Sequence, residues 1–128
     1  MAAEQVTRVL VDTPVWIDHL HRADPVLRQL LLDDAVCLAA PILGELIAGN
    51  LPDRTQTIAD LRLLPRVPEP DADEVFDWIE LNELGGKGLS WVDCILLATA
   101  ARASVSIWTR DRALEQAARR LKLAYAVK

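Results

Sequence analysis

The chain has 128 residues, 52% hydrophobic and 26% charged, with 5 Gly and 7 Pro. That balance describes one ordinary globular domain of about 100–150 residues and excludes a disordered chain. Net charge is −5, which argues against a general nucleic-acid coat protein, yet residues 102–128 carry seven Lys and Arg against two Asp and Glu, leaving a basic last quarter for local phosphate contact or a solvated helix face. The longest apolar runs, Val36–Leu43 and Cys94–Ala98, fall short of the roughly 20 residues of a spanning helix, and no basic-then-apolar leader is seen, so a cytoplasmic location is expected.

In chain order, Arg8-Val9-Leu10-Val11 reads as a strand buried on both faces, and it runs straight into Asp12. Thr13 can cap the helix that follows, Pro14–Leu20, with Pro14 in its first turn. Asp24 caps a second helix, Pro25–Leu32, and Ala35–Ala39 is a short strand. Pro41 opens a third helix ending at Gly49-Asn50, and residues 53–63 form a fourth with Ile58, Leu61 and Leu64 on one side. The prolines of Leu64-Pro65-Arg66-Val67-Pro68 limit that stretch to a short edge strand.

Asp71–Leu84 is amphipathic, with Val75, Phe76 and Ile79 inward and Asp73, Asp77, Glu80 and Glu83 in water. Gly85-Gly86-Lys87-Gly88 lacks both the spacing and the preceding strand of a phosphate-binding loop. A helix from Ser90 through Ala103, a strand Val105–Trp108, a helix Asp111–Lys122 and a last strand Leu123–Val127 complete the pattern. Strands alternating with helices predict an α/β fold: a parallel sheet of about five strands flanked by helices on both faces. Cys37 and Cys94 are read as buried thiols, and His19 and His21 as surface residues at a helix end.

Four carboxylates stand in apolar company. Asp12 ends a strand, where open α/β sheets bind ligands. Glu45 lies on a helix with no polar face for it to join, so it is either buried and in need of a cation or reaches solvent past a small neighbour such as Gly44. Asp93 has the spacing of a capping box with Ser90 but opens an apolar helix that would aim it inward. Asp111 repeats the placement of Asp12, two residues beyond Thr109, and is also a ready N-cap. Like charges in one pocket destabilise one another, and a hard divalent cation such as Mg²⁺ relieves that while suiting a phosphate-ester substrate. There is no zinc spacing and no Gly-x-Ser-x-Gly turn.

The set Leu10-Val11-Asp12-Thr13-Pro14, Glu45-Leu46, Leu89-Ser90-Trp91-Val92-Asp93 and Thr109-Arg110-Asp111 resembles the PIN-domain ribonucleases, and within them the VapC-like toxins of bacterial type II toxin–antitoxin systems. The resemblance spans nearly the whole chain, 1–128, as a single PIN-like domain. It implies Mg²⁺- or Mn²⁺-dependent endonucleolytic cleavage of RNA, a homodimer and a cognate antitoxin. It implies that Asp12 and Asp93 are principal metal ligands, that Glu45 and Asp111 complete the site directly or through water, and that Thr13, Ser90 and Thr109 support it. Arg110, Arg112 and Arg119 are candidate contacts to RNA phosphates. A receiver domain would need paired acids after the first strand and a late Lys, whereas here Asp12 stands alone and Arg110 follows Thr109. A binding module that has lost catalysis is the remaining rival.

Overall fold

The computed structural model describes residues 7–127; residues 1–6 and 128, the outer limits of the expected domain, lie outside the described residues. Its elements are β1 (Val9–Val11), α1 (Thr13–His21), α2 (Pro25–Leu32), β2 (Val36–Cys37), α3 (Ala40–Ala48), α4 (Arg54–Arg62), α5 (Ala72–Leu81), α6 (Trp91–Ala103), β3 (Ser106–Trp108) and α7 (Arg112–Arg120). The alternation read from the sequence is present, and α2, α5, α6 and α7 carry side-chain caps at their starts, whereas α3 and α4 start without one. Asp24 Oδ1 accepts from Val26 and Leu27 N–H at the start of α2, and Asp71 caps α5 through Glu74 N–H. Gly86 and Gly88 take the left-handed backbone (φ +73° and +79°), so this loop is Gly-rich for conformational reasons.

The sheet is narrower than predicted. Three parallel strands pair in the order β2-β1-β3, with Leu10 opposite both Cys37 and Ile107. The two outer strands expected at 64–68 and 123–127 are reduced to single parallel bridges, Leu38 to Arg66 and Ile107 to Ala124. On the first edge Pro65 and Pro68 remove donors from any longer ladder, and only Leu38 N–H to Pro65 O and Val67 N–H to Leu38 O form. On the other, Leu123 O and Tyr125 N–H bracket Ile107 and pairing stops there.

β1 is buried at every residue, as a strand covered on both faces must be. Around it pack Val15 and Trp16 of α1, Ile42 and Leu46 of α3, Leu96, Leu97 and Ala100 of α6, and Leu114 and Ala118 of α7. Truncating one of these, such as Leu97, to Ala would cost about 2–5 kcal/mol. Phe76 is not part of this core. It is half exposed and packs on Trp91, while Trp78 and Ile79 take the inner side of α5 beside the buried Val75. An α5 stripe that includes Trp78 rotates Phe76 off the buried face.

Two side-chain ties hold the helices in place. Arg54 donates to the Gly49 and Ile47 carbonyls, satisfying the end of α3 from the start of α4. Arg120 donates to Asn82 O and joins α7 to the end of α5. Both thiols are buried, and desolvation pushes Cys37 up to about 11. No helix among the described residues is long and apolar enough to cross a membrane.

Candidate active site

The parallel register fixes the centre of the site. Val11 faces Trp108 in the ladder and Asp12 N–H donates to Trp108 O at 2.9 Å, which sets Asp12 beside Thr109 at the carboxyl edge of the sheet. Asp12 is the N-cap of α1, a role expected of Thr13; its Oδ1 accepts from Thr13 N–H at 2.9 Å. The other oxygen, Oδ2, accepts from Thr109 Oγ1 at 2.8 Å, and that hydroxyl in turn accepts from Asp111 N–H at 3.0 Å. The carboxylate is buried, with 8% of the residue exposed. Desolvation, aided by repulsion from Asp93 and Glu45, raises its pKa above the ordinary carboxyl value, against the lowering effect of the two hydrogen bonds.

The other acids surround Asp12 unequally. Asp93 sits in the first turn of α6, where Oδ2 accepts from Ser90 N–H and Ser90 Oγ accepts from Asp93 N–H. The capping box is therefore complete, and the same half-buried carboxylate also acts on Asp12 through its charge. Glu45 acts on Asp12 in the same way but is exposed. Of the two sequence readings, the solvent-reaching one is correct: α3 turns a face of small residues, Ala40, Gly44 and Ala48, outward beside Glu45. Asp111 is exposed and caps α7 by accepting from Leu114 N–H; it joins the site through its backbone N–H to Thr109. A Cβ at Gly88 would lie 3.8 Å from Ala113, so the loop before α6 meets the first turn of α7.

Among the described residues, no group of three or more His, Cys, Asp or Glu is drawn together as a ready-made metal cage. The donor set nevertheless fits a hard cation. Asp12 carries buried negative charge among like charges with no basic partner in its hydrogen-bond network, and each carboxylate keeps acceptor capacity beyond its local bonds. Next to it, Thr13 Oγ1 is buried and without a protein partner. An ion held by one or two carboxylates and several waters suits this arrangement better than an all-protein cage.

Arg110 is committed elsewhere. Its guanidinium pairs with Asp18 and with Asp24 Oδ2, the latter at 2.9 Å, and lies 5.7 Å from the Trp108 ring centroid. It therefore braces the end of β3 against α1 and α2 rather than standing open to phosphates. The Asp24 carboxyl, despite some desolvation, is held below its ordinary pKa by the Leu27 and Val26 amides and by Arg110. No spacing rule would find this network, whose members lie 92 and 86 residues apart. Arg119 pairs with Glu115 at 2.7 Å within α7, and Arg112 is exposed. His21 is on the surface as expected, but His19 is half-buried: it packs edge-on to Trp16, and its Nδ1 accepts from Asp24 N–H at 2.9 Å.

A short parallel sheet with an acid at the end of its central strand and further acids on the adjoining helices is the pattern of a PIN domain. The model of the PIN domain family matches residues 9–120, and the chain belongs to that family. It is 37% identical over 110 residues to Ribonuclease VapC32 of Mycobacterium tuberculosis, an alignment covering 85% of this chain and 89% of that protein. Among solved structures, PAE2754 from Pyrobaculum aerophilum is similar with a TM-score of 0.65 at 15% identity, covering 96% of this chain and 91% of the other. FitAB bound to an IR36 DNA fragment gives 0.61 at 24% identity, over 91% and 92%, and like PAE2754 it speaks to the fold alone. FitAcB from Neisseria gonorrhoeae gives 0.55 at 25% identity, over 91% and 94%.

Proposed function

We propose that the protein is a divalent-metal-dependent endoribonuclease, the toxin of a toxin–antitoxin pair. The observation that carries this reading is the buried Asp12 carboxylate, raised in pKa by burial and by Asp93 and Glu45 and left with surplus negative charge at the ligand-binding edge of a parallel sheet. The 37% identity to a ribonuclease over most of both chains supports the same chemistry.

In this account Asp12 and Asp93 hold Mg²⁺ or Mn²⁺, and Glu45 and Asp111 complete the site directly or through water. A bound divalent cation supplies polarisation of the scissile phosphodiester and neutralises charge developing on it. The chain's own residues do the rest. Thr109 orients Asp12 through its hydroxyl and favours the ionised carboxylate against the effect of burial, and the Thr13 amide fixes the second oxygen. The Ser90 capping box holds the Asp93 carboxylate at the start of α6. The exposed Glu45 has the freedom to orient or deprotonate the attacking water. The single PIN-like domain works in the cytoplasm as a homodimer under the control of an antitoxin. Exposed apolar side chains such as Ile17, Leu63, Phe76, Leu81 and Trp91 suit a molecule that covers surface with other chains.

The test is incubation of the purified protein with single-stranded RNA. Cleavage that stops on chelation, returns with Mg²⁺ or Mn²⁺ and leaves 5′-phosphate ends is expected. Cleavage that persists in chelator, or ends bearing a 2′,3′-cyclic phosphate, contradicts the metal-hydrolysis reading.

A further inference from the structure

The outer side of the sheet beyond β3 carries a groove that the proposed chemistry does not use. It runs between α7 and the segment 123–127, has a volume of about 670 Å³, and is lined by Thr109, Glu115, Arg119, Lys122, Tyr125 and Val127 among others. That volume lies within the ~300–1,000 Å³ of ligand clefts. Three features define what it takes. It adjoins the candidate active site at Thr109, a buried residue that is both a wall of the groove and the donor to Asp12. Arg119 and Lys122 give it two exposed cations. Tyr125 gives it a partly exposed aromatic ring backed by Trp108, with centroids 5.9 Å apart and planes at 46°.

Cations beside an aromatic face are the recognition chemistry of single-stranded nucleic acid: the cations hold phosphates and the ring stacks an unpaired base. A folded protein partner would favour an apolar centre with aromatic anchors, whereas this groove has charged side chains along one wall. We infer that the groove is a subsite for a nucleotide of single-stranded RNA flanking the scissile phosphate, with Tyr125 as the stacking platform and Arg119 and Lys122 as phosphate contacts. The inference rests on the endoribonuclease reading and adds where the strand leaves the active site. It also gives a use to the basic last quarter of a chain that is acidic overall. Glu115, paired to Arg119 at 2.7 Å, opposes a phosphate and sets the sign of a control.

The experiment measures binding of a labelled random-sequence single-stranded RNA by the full chain carrying Asp12→Asn, which removes the proposed cleavage. Added to that background, Tyr125→Leu keeps apolar packing on Trp108 but loses the planar face, and is expected to weaken binding about tenfold. Arg119→Ala with Lys122→Ala is expected to weaken it further and to reduce the slope of log affinity against log salt by about 1.4. Glu115→Gln is expected to strengthen binding about two- to fivefold, the reverse of what a merely structural role gives. Arg62→Ala, which removes an exposed charge from α4 at the far edge of the sheet, leaves affinity unchanged.

Unchanged affinity and salt slope in the Tyr125 and Arg119/Lys122 variants overturn the inference, as does a change in oligomeric state without a change in RNA binding. If those variants bind as before while the unmodified chain cleaves RNA with Mg²⁺, the groove assignment fails and the endoribonuclease reading stands. If the unmodified chain cleaves no RNA, that reading fails. The groove is then judged on binding alone: loss of affinity in its variants supports it, and absence of RNA binding overturns it.

Discussion

Replacing Asp12 by Asn should end catalysis and at the same time stabilise the metal-free fold. Asp12 is buried, and its raised pKa means that desolvation and repulsion from Asp93 and Glu45 outweigh the hydrogen bonds from Thr109 and Thr13. Asn has the same shape and retains an acceptor, so it keeps much of a neutral hydrogen bond worth about 1 kcal/mol while losing the buried charge. The expected gain is on the order of 1 kcal/mol, the scale of a stability–activity trade-off at an active site. For 128 residues this is a rise in Tm of about 3–5 °C. A carboxyl whose native pKa lies above its unfolded value contributes stability below the ordinary carboxyl range and loses it as pH rises through the native value. The two proteins should therefore melt together in acid and diverge towards neutral pH. Mg²⁺ should reverse the order, because at about 100 times its Kd a ligand adds about 2.7 kcal/mol to the form that binds it. Thermal melts across pH, with and without Mg²⁺, provide the assay. A variant that melts below the parent at neutral pH without metal, or a difference that ignores pH, would refute the reasoning.

Three further outcomes follow from the same geometry. Thr109→Val removes the donor to Asp12 and the acceptor for Asp111 N–H, so it should cost about 1–3 kcal/mol and move the acid limb of the pH–rate profile upward; Thr109→Ser should restore both. Arg110→Ala breaks the pairs with Asp18 and Asp24 and should lower stability by about 1 kcal/mol near neutral pH. Asp24 has a depressed native pKa, so its stability is present above the ordinary carboxyl range and lost as pH falls through the native value; the variant should show a weaker acid transition in urea melts. Cys37, pushed up to about 11, and Cys94, also raised by burial, should both resist iodoacetamide until the chain unfolds, as read by mass spectrometry.

The strand that runs into Asp12 was legible because a doubly buried strand is apolar without interruption and the acid that ends it stands out; β3 was legible from Ile107 and Trp108 despite the half-buried Ser106, with Asp111 three residues beyond it. Helix starts were legible for a similar reason, since Asp24, Ser90 and Asp111 are cap residues just ahead of an apolar period. Glu45 shows where the signal fails. Hydropathy does not separate a buried face from an exposed face made of Ala40, Gly44 and Ala48, so an acid with no polar neighbours looks buried when it is not. Phe76 fails differently: Val75, Phe76, Trp78 and Ile79 offer two overlapping helical stripes, and packing against α6 chooses the one with Trp78 inside. Strand length at a sheet edge depends on what pairs with it, which is why 64–68 and 123–127 shrink to single bridges. The role of Arg110 could not be read locally, because its partners Asp18 and Asp24 are distant in sequence and meet it only in the fold.

The most direct measurement of the central claim is cleavage of single-stranded RNA by the purified full chain in Mg²⁺, beside Asp12→Asn and Asp93→Asn, with each protein shown to be folded by its melting transition. The account predicts cut RNA from the parent alone, abolished by chelation and absent from both variants. Equal cleavage by all three proteins, or none by a folded parent supplied with Mg²⁺ or Mn²⁺, would contradict it.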